Sequence, residues 1–475
     1  MRQQVQFAGP FDERTEKAIS AQTCINWYPV VVQTHGKRSM ILKQRPGLKF
    51  DQELTAGPHR GMYIHDGFLY VVANNKAYKI DTDGIATLLG SMNTDTGFVG
   101  MASSGTELVI VDGTDGWRWN GTTFTQITDE DFVDAVQVKF IKGRFIVNSP
   151  GTGRFYISAS YDATTWAALD YATAEVDPDD LIALEVDHQE LWTLGEYTNE
   201  VHNYTGNTDF PFESMPGGFT EWGCAAPWSI AKGDNTVIWL AQTRNGGRQV
   251  VKATGFVPTV ISSDSLEERM TGFSRVDNAH AFVVKAADKH LFYVLTFPTD
   301  NETHVYDFAT GLWHAWESYG LGRFRVATSA YWNNKYYMGD AINGNLYTFD
   351  ADTYADNDES IVRSRKTEHH ASNQDVVFCH SLEVLVNSGM GLESGQGEDP
   401  QIALYVSNDG GITFGNAKTR SLGIQGKYKK RVKWDRLGSY RHRVYEVRVS
   451  DPVDVTIIGA FAEISGPRRG IGASE

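Results

Sequence analysis

The sequence predicts an all-β protein: a β-propeller of about seven blades followed by a C-terminal β-sandwich. Three observations carry this reading. A strand–turn–strand pattern recurs at blade spacing between about residues 59 and 354, glycine and aromatic residues are abundant while helical runs are scarce, and the pattern changes after Tyr354. Of 475 residues, 41% are hydrophobic, 21% charged and 12% aromatic, with 46 glycines, which is globular material weighted toward strands. The boundaries read from the pattern are a lead-in over 1–55, the propeller over 56–360, the sandwich over 361–466 and a flexible tail over 467–475.

Seven apolar runs, at 68–72, 108–111, 145–147, 191–194, 237–240, 291–295 and 336–338, start 37 to 54 residues apart. That interval fits one propeller blade with its loops. Each run has a partner, at 77–80, 117–119, 155–157, 201–204, 250–253, 305–307 and 346–349, and residues that tolerate positive φ often separate the two, as at Asn74-Asn75, Asp112-Gly113 and Asn343-Gly344. Short stretches of small residues at 100–105, 228–231 and 327–330 suit strands at the crowded centre of the ring.

The lead-in fits no blade. A segment of this kind can supply the strand that closes a propeller, with Pro29, Pro46 and Gly47 fixing its turns. After Tyr354 the chain turns polar and acidic, then resumes as strands near 376–386, 401–407 and 441–449, with Gly389 to Pro400 expected as a mobile loop. Basic residues crowd the stretch 418–448. Lys427, Lys429, Lys430, Arg431, Lys433, Arg436, Arg441 and Arg443 are the candidates for contact with a partner protein or with DNA, against the plainer alternative of a solvated strand edge.

The formal net charge of −16 argues against a chain whose whole surface grips nucleic acid, although an acidic wall can line a channel through which DNA slides. Met1 to Pro10 shows no basic start with an apolar core, and no run of about 18 apolar residues occurs, so neither export nor a membrane-spanning segment is expected. Cys24, Cys224 and Cys379 are far apart and read as buried thiols. No metal-ligand spacing emerges around His304, His314 or His369-His370, and Gly151-Thr152-Gly153 sits in a hairpin rather than opening a helix. No cofactor and no metal are expected.

Asn26, Tyr28 and Pro29, followed by Pro46, Gly47 and Leu48, form a recognisable structural motif. Together with the degenerate blades and the ending 407–411, 428–432 and 448–452, they resemble the packaged-DNA stabilisation proteins, the head-completion or tail-hub family of short-tailed bacteriophages. The resemblance spans nearly the whole chain. It implies a homo-oligomeric ring, a hexamer in the usual arrangement, that sits below the portal and adaptor proteins as part of the head–tail connector in the virion tail. Such a ring, assembled in the host cytoplasm, closes the DNA exit channel until genome ejection, stabilises packaged DNA and holds the tail needle and tailspikes. Two positions depart from the family pattern: Val30, where an acid often follows Tyr-Pro, and Arg45, where Thr often precedes Pro-Gly-Leu.

No catalytic residues are expected. The opposing reading is a sialidase-like propeller glycoside hydrolase, or a glycan-binding tail protein. Its best support is Ser407-x-Asp409-x-Gly411-x-Thr413, an Asp-box with a poorer echo at Ser160-x-Asp162 and Trp166. An Asp-box is a folding turn whose carboxylate caps backbone N–H groups. Glu185, Asp187 and Asp340 are expected as solvated loop acids rather than as a catalytic pair. Trp313, Trp316, Trp332 and Tyr331 suit either core packing, which is favoured, or an interface. A glycan-binding tail protein would usually carry a long trimeric β-helix or coiled coil, and neither pattern is present.

Overall fold

The computed structural model describes residues 2–34, 37–174, 178–286, 289–371 and 375–466. The expected flexible tail over 467–475 lies outside the described residues. Each of the seven apolar runs forms the second strand of its own sheet. Blade 1 is the antiparallel meander His59–His65, Phe68–Ala73, Lys76–Ile80, Ala86–Ser91, and blades 2, 3, 4, 6 and 7 begin likewise at Gly100–Ser103, Val138–Ile141, Leu181–Asp187, His280–Lys285 and Val326–Trp332. The first strands adjoin around an axis, with Val326–Trp332 of blade 7 meeting His59–His65 of blade 1.

Burial follows from this arrangement. All four residues of Leu108–Val111 are buried, because a blade has neighbours on both faces and its central strand cannot alternate with water. The propeller core is accordingly a set of seams between adjacent blades. Tyr70, Val72, Leu108 and Ile110 fill the seam of blades 1 and 2, and Leu69, Val71, Trp332 and Leu346 fill that of blades 7 and 1. Five of the first turns use two successive residues with positive φ, such as Asp66-Gly67 and Asn333-Asn334, the type I′ geometry that matches strand twist.

Blade 5 departs from the pattern. The stretch 228–231, expected as its innermost strand, is largely irregular, and strands form instead at Gly223–Cys224 and Ala231–Gly233 on either side of Pro227. Proline offers no N–H to a ladder, and the Ser229 hydroxyl accepts from Leu240 N in place of a strand carbonyl (3.1 Å). The α-helix of the described residues, Asp264–Gly272, links blades 5 and 6 and is capped by Ser263.

The lead-in is divided between two bodies. Gly47–Glu53 runs antiparallel to Asn345–Asp350 as the outer strand of blade 7, so a segment from the start of the chain closes the ring. Gly47 is required there: a Cβ would lie 2.4 Å from the Ala355 carbonyl oxygen and 2.5 Å from that of Thr353.

Residues 2–44 build the sandwich together with the C-terminal segment. One sheet has the order Trp27–Thr34, Lys37–Gln44, Ile457–Ser465, Val377–Val386, Val432–Tyr440, with Arg2–Val5 also on Ile457–Ser465. The other has Ala21–Ile25, Arg363–Lys366, His442–Val449, Gln401–Ser407, Lys418–Ser421. The sandwich therefore extends beyond the expected 361–466. Its C-terminal strands present Leu382, Trp434 and Val447, and Val5, Phe7, Trp27 and Leu42 of the lead-in complete that core.

The hairpin of Trp27–Thr34 and Lys37–Gln44 is buried on both faces at its base: Trp27 and Leu42 enter the sandwich, while Tyr28 and Val30 enter the seam of blades 6 and 7. Ala21–Ile25 also meets Leu312–Ala315, the outer strand of blade 6, at Ile25–Ala315, so the blade 6 sheet continues into the sandwich.

Gly47→Ala is expected to lower unfolding free energy by about 1–3 kcal/mol, because the clash is with the backbone of Thr353 and Ala355 rather than with a flexible side chain. Gly459→Ala, where nothing lies within 4 Å of the added carbon, should stay within about 0.5 kcal/mol of the parent. Urea denaturation of the three proteins checks the contrast.

Candidate interaction surface

The motif residues of the lead-in turn inward. Asn26 has φ +58°, and its side-chain amide donates to the carbonyls of Glu317 (2.9 Å) and Val362 (2.8 Å) while its Oδ1 accepts from Glu317 N (3.0 Å) and Arg45 Nε (2.8 Å). Tyr28 packs at 5.1 Å from the Phe292 ring, Pro29 pairs with Leu42 across the hairpin, and Leu48 is buried in the seam of blades 6 and 7. Pro46 accepts from Arg45 Nη1 through its carbonyl (3.0 Å).

Arg45 is the centre of this cluster. Its side chain is fully buried and grips Asp356 in a two-pronged pair, Nη1–Oδ1 2.9 Å and Nη2–Oδ2 2.5 Å. Ser318 Oγ donates to the same carboxylate (2.7 Å), and the guanidinium lies 4.8 Å from the Phe324 ring centre. A buried ion pair of this kind is tolerable because both charges are saturated with partners.

Three further buried arginines hold the sandwich through backbone carbonyls. Arg365 donates to Phe7, Pro10 and Thr23, and Arg363 donates to Val453 and Asp451. Burial draws the Arg363 guanidinium down to about 10. Arg443 is the third: it is fully buried, donates to Asn408 Oδ1 (2.9 Å) and Leu437 O (2.9 Å), and lies 4.0 Å over the Tyr440 ring. It is therefore withdrawn from the contact candidates. The signal was present in the sequence, since a two-residue period places 443 in line with Tyr445, Val447 and Val449.

The remaining basic residues face outward. Lys427, Lys429, Lys430, Arg431, Arg436 and Arg441 are exposed, and Lys433 is half-buried. Arg431 pairs with Glu383 through two hydrogen bonds (2.6 and 2.8 Å), and Lys433 lies 3.1 Å from Asp435. Lys427, Lys429 and Lys430 line an open groove of about 620 Å³ beside Asp399, Ile424 and Tyr428. Tyr428 is 71% exposed, and Ile424 is also exposed. The loop expected to be mobile, 389–400, contributes Asp399 to the groove and is bonded to the lysine loop: Gly389 N bonds Leu422 O, Gly426 N bonds Gly389 O, and Leu422 N bonds Pro400 O.

Acids weighed as catalytic candidates have structural partners. Asp409 accepts from Ser407 Oγ, Thr413 Oγ1 and the backbone of Thr413 and Ile412, and these bonds hold its carboxyl at about 2. Two of the expected solvated acids are buried instead: Glu185 pairs with Lys139 (2.7 Å), and Asp340 with Arg325 (2.7 Å) and the Tyr347 hydroxyl (2.7 Å). Asp187 pairs with His188. Trp313, Trp316 and Trp332 are core residues, and Tyr331 is 51% exposed.

A polar network pins the lead-in to blade 6. Arg269 bridges Glu302 (2.5 Å) and Glu13 (3.1 Å), and Glu13 also meets Lys17 (2.7 Å) and Lys366 (3.4 Å). Burial alone would raise the Glu302 carboxyl, but hydrogen bonds and charge from His304 and Arg269 outweigh it and hold the group at about 2.

Two family models match the chain. One, described as the β-propeller of bacteriophage P22 Gp10, matches residues 3–354, and the other, the β-sandwich of the same protein, matches 363–465. No curated protein sequence matches. Among solved structures, the chain is similar to a streptogramin B lyase (10% identity, TM-score 0.41, 63% of this chain and 96% of that one). It is also similar to the N-terminal domain of Nup159 (10%, 0.40, 64% and 95%) and to the Neurospora crassa Pan2 WD40 domain (10%, 0.39, 62% and 89%).

Arg45→Met strands Asp356 as a buried charge and should cost about 3–5 kcal/mol, while Arg45→Met with Asp356→Leu recovers much of that loss. Chemical denaturation of the two singles and the double measures the coupling. A folded-state carboxyl held below its usual 4.5 contributes stability that is complete above pH 4.5 and lost as pH falls toward 2. Glu302→Gln should flatten the stability profile in that window and leave its shape unchanged near neutrality, as read from melting temperature against pH.

Proposed function

The chain belongs to the phage stabilisation family typified by bacteriophage P22 Gp10, a family of virion structural proteins, and from that membership we propose that it is the tail-hub protein of a short-tailed phage particle. In this reading several copies, six as the family resemblance implies, form a ring below portal and adaptor. The ring closes the DNA exit channel, stabilises the packaged genome and carries the tail needle and tailspikes, with assembly in the host cytoplasm. The observation that carries the reading is that the two family models together account for both bodies of the fold in their native order.

Such a role needs no bond-making chemistry. It needs a rigid subunit that resists outward force, and interfaces of ordinary protein–protein size repeated around an axis. Several features support rigidity: a ring closed by the lead-in, a hairpin whose base is buried on both faces, and buried arginines that donate to backbone carbonyls. The Asp-box carboxylate is committed to its turn, which removes the best support for a hydrolase.

Phage particles made with and without this chain test the proposal. We expect the chain in the tail of intact particles, and heads that fill with DNA but lose it when the chain is missing. Particles that lack it yet keep their genome and still carry needle and spikes would overturn the reading.

A further inference from the structure

The charge of this chain is segregated. Residues 51–221, which contain blades 1 to 4, hold 27 Asp and Glu against 8 Lys and Arg, so this sector alone exceeds the −16 of the whole chain. Consecutive antiparallel strands reverse direction, so the loops joining second to third strands and those leading into the next blade emerge on one face. Hydrogen bonds tie these loops together: Thr94 Oγ1 to Asp112 (2.6 Å), Gly113 N to Ala135 O (2.8 Å), and Glu196 N to Asp180 O (3.0 Å). Asp95, Asp134, Asp180 and Glu221, each in a loop entering the next blade, are all exposed on that face.

The opposite sign lies at the other end of the molecule. The sandwich is stitched to blade 6 through Ala21–Ile25, and the basic edge strand Lys418–Ser421 stands four strand positions further along the same sheet, roughly 20 Å away. In a ring of seven, blade 6 lies across the axis from blades 2 and 3, the middle of the acidic sector. The two poles cannot satisfy each other within one chain.

We propose that the groove of Lys427, Lys429, Lys430, Ile424 and Tyr428 docks on the acidic sector of blades 1 to 4 of a second copy of this chain. The inference rests on the ring reading above and names the contact that would build it. Opposite poles on one subunit give a head-to-tail contact, which closes on itself or propagates and leaves no pole unpaired. Tyr428 and Ile424 supply apolar area at the centre of the groove, and the lysines set approach and register. A DNA backbone suits the groove less well: Asp399 lines it, and the exposed Glu393 and Glu398 stand in the segment that leads to Asp399.

The test uses charge swapping in the full chain. Lys427→Glu, Lys429→Glu and Lys430→Glu together form one variant, and Asp95→Lys, Asp134→Lys, Asp180→Lys and Glu221→Lys together form the other. Every substituted side chain is exposed, so melting temperature should stay near the parent and serves as the folding control. Association is followed by sedimentation, alone and with portal and adaptor, and zero-length carboxyl–amine crosslinking maps the contact.

Each variant alone should associate about tenfold or more weakly than the parent, the parent should weaken as salt rises, and the chain carrying both sets should recover. Parent crosslinks should join the 427–430 loop to the acids of blades 1 to 4. A ring that forms normally with either variant, a doubly swapped chain no better than the singles, or loop crosslinks to the acids of the adaptor would overturn this interface while leaving the hub reading intact. A parent chain that never self-associates and enters no particle would bring down both.

Discussion

The whole arrangement depends on one buried ion pair. Arg45 and Asp356 are 311 residues apart, and when they meet they fix three things together: the end of the hairpin 27–44, the start of the closing strand at Gly47, and the path by which the chain leaves the propeller. Taking two charges out of water is costly unless geometry and additional hydrogen bonds compensate. Here Asn26, Ser318 and the carbonyls of Pro46 and Glu317 complete the set. Ring closure and sandwich attachment are thus one structural event rather than two, and the relative placement of the two bodies is set by chemistry at their junction.

The sandwich extends the same logic with fewer acids. Arg365 meets the carbonyls of Phe7, Pro10 and Thr23 rather than a carboxylate, so the lead-in is held by its own backbone, and Arg363 grips the carbonyls of Asp451 and Val453 in the same way. Gly9 sits so close that a Cβ there would lie 2.8 Å from the Arg365 guanidinium. Such contacts need a single backbone path, which gives the junction specificity that apolar packing alone supplies less sharply.

Much of this fold was legible. The seven second strands could be read because their burial on both faces forces continuous apolar runs, which no other requirement on this chain imitates. The innermost strands were harder, since they are short and mix small with polar residues, and Pro227 splits the one in blade 5. What could not be read was long-range pairing: nothing local to Arg2–Val5 announces a partner at Ile457–Ser465. Of the candidate surface, the exposed lysines were visible as a charge cluster, whereas Arg443 belonged to the buried face, and Glu185 and Asp340 have partners supplied by distant strands. A buried charge with a remote partner carries no mark in its neighbouring sequence.

The contribution of both chain ends to one sandwich also governs when the protein becomes usable. Arg2–Val5 is made before Ile457–Ser465 and must wait for it, as Gly47–Glu53 must wait for Asn345–Asp350. At about 5–20 residues per second that interval is tens of seconds, during which blades can form but neither body is sealed. Contacts of such sequence separation form late and slowly. A prematurely terminated chain that stops short of residue 457 leaves Trp27 and Leu42 without the strand that covers them, so translation errors yield visibly unfinished subunits open to proteolysis.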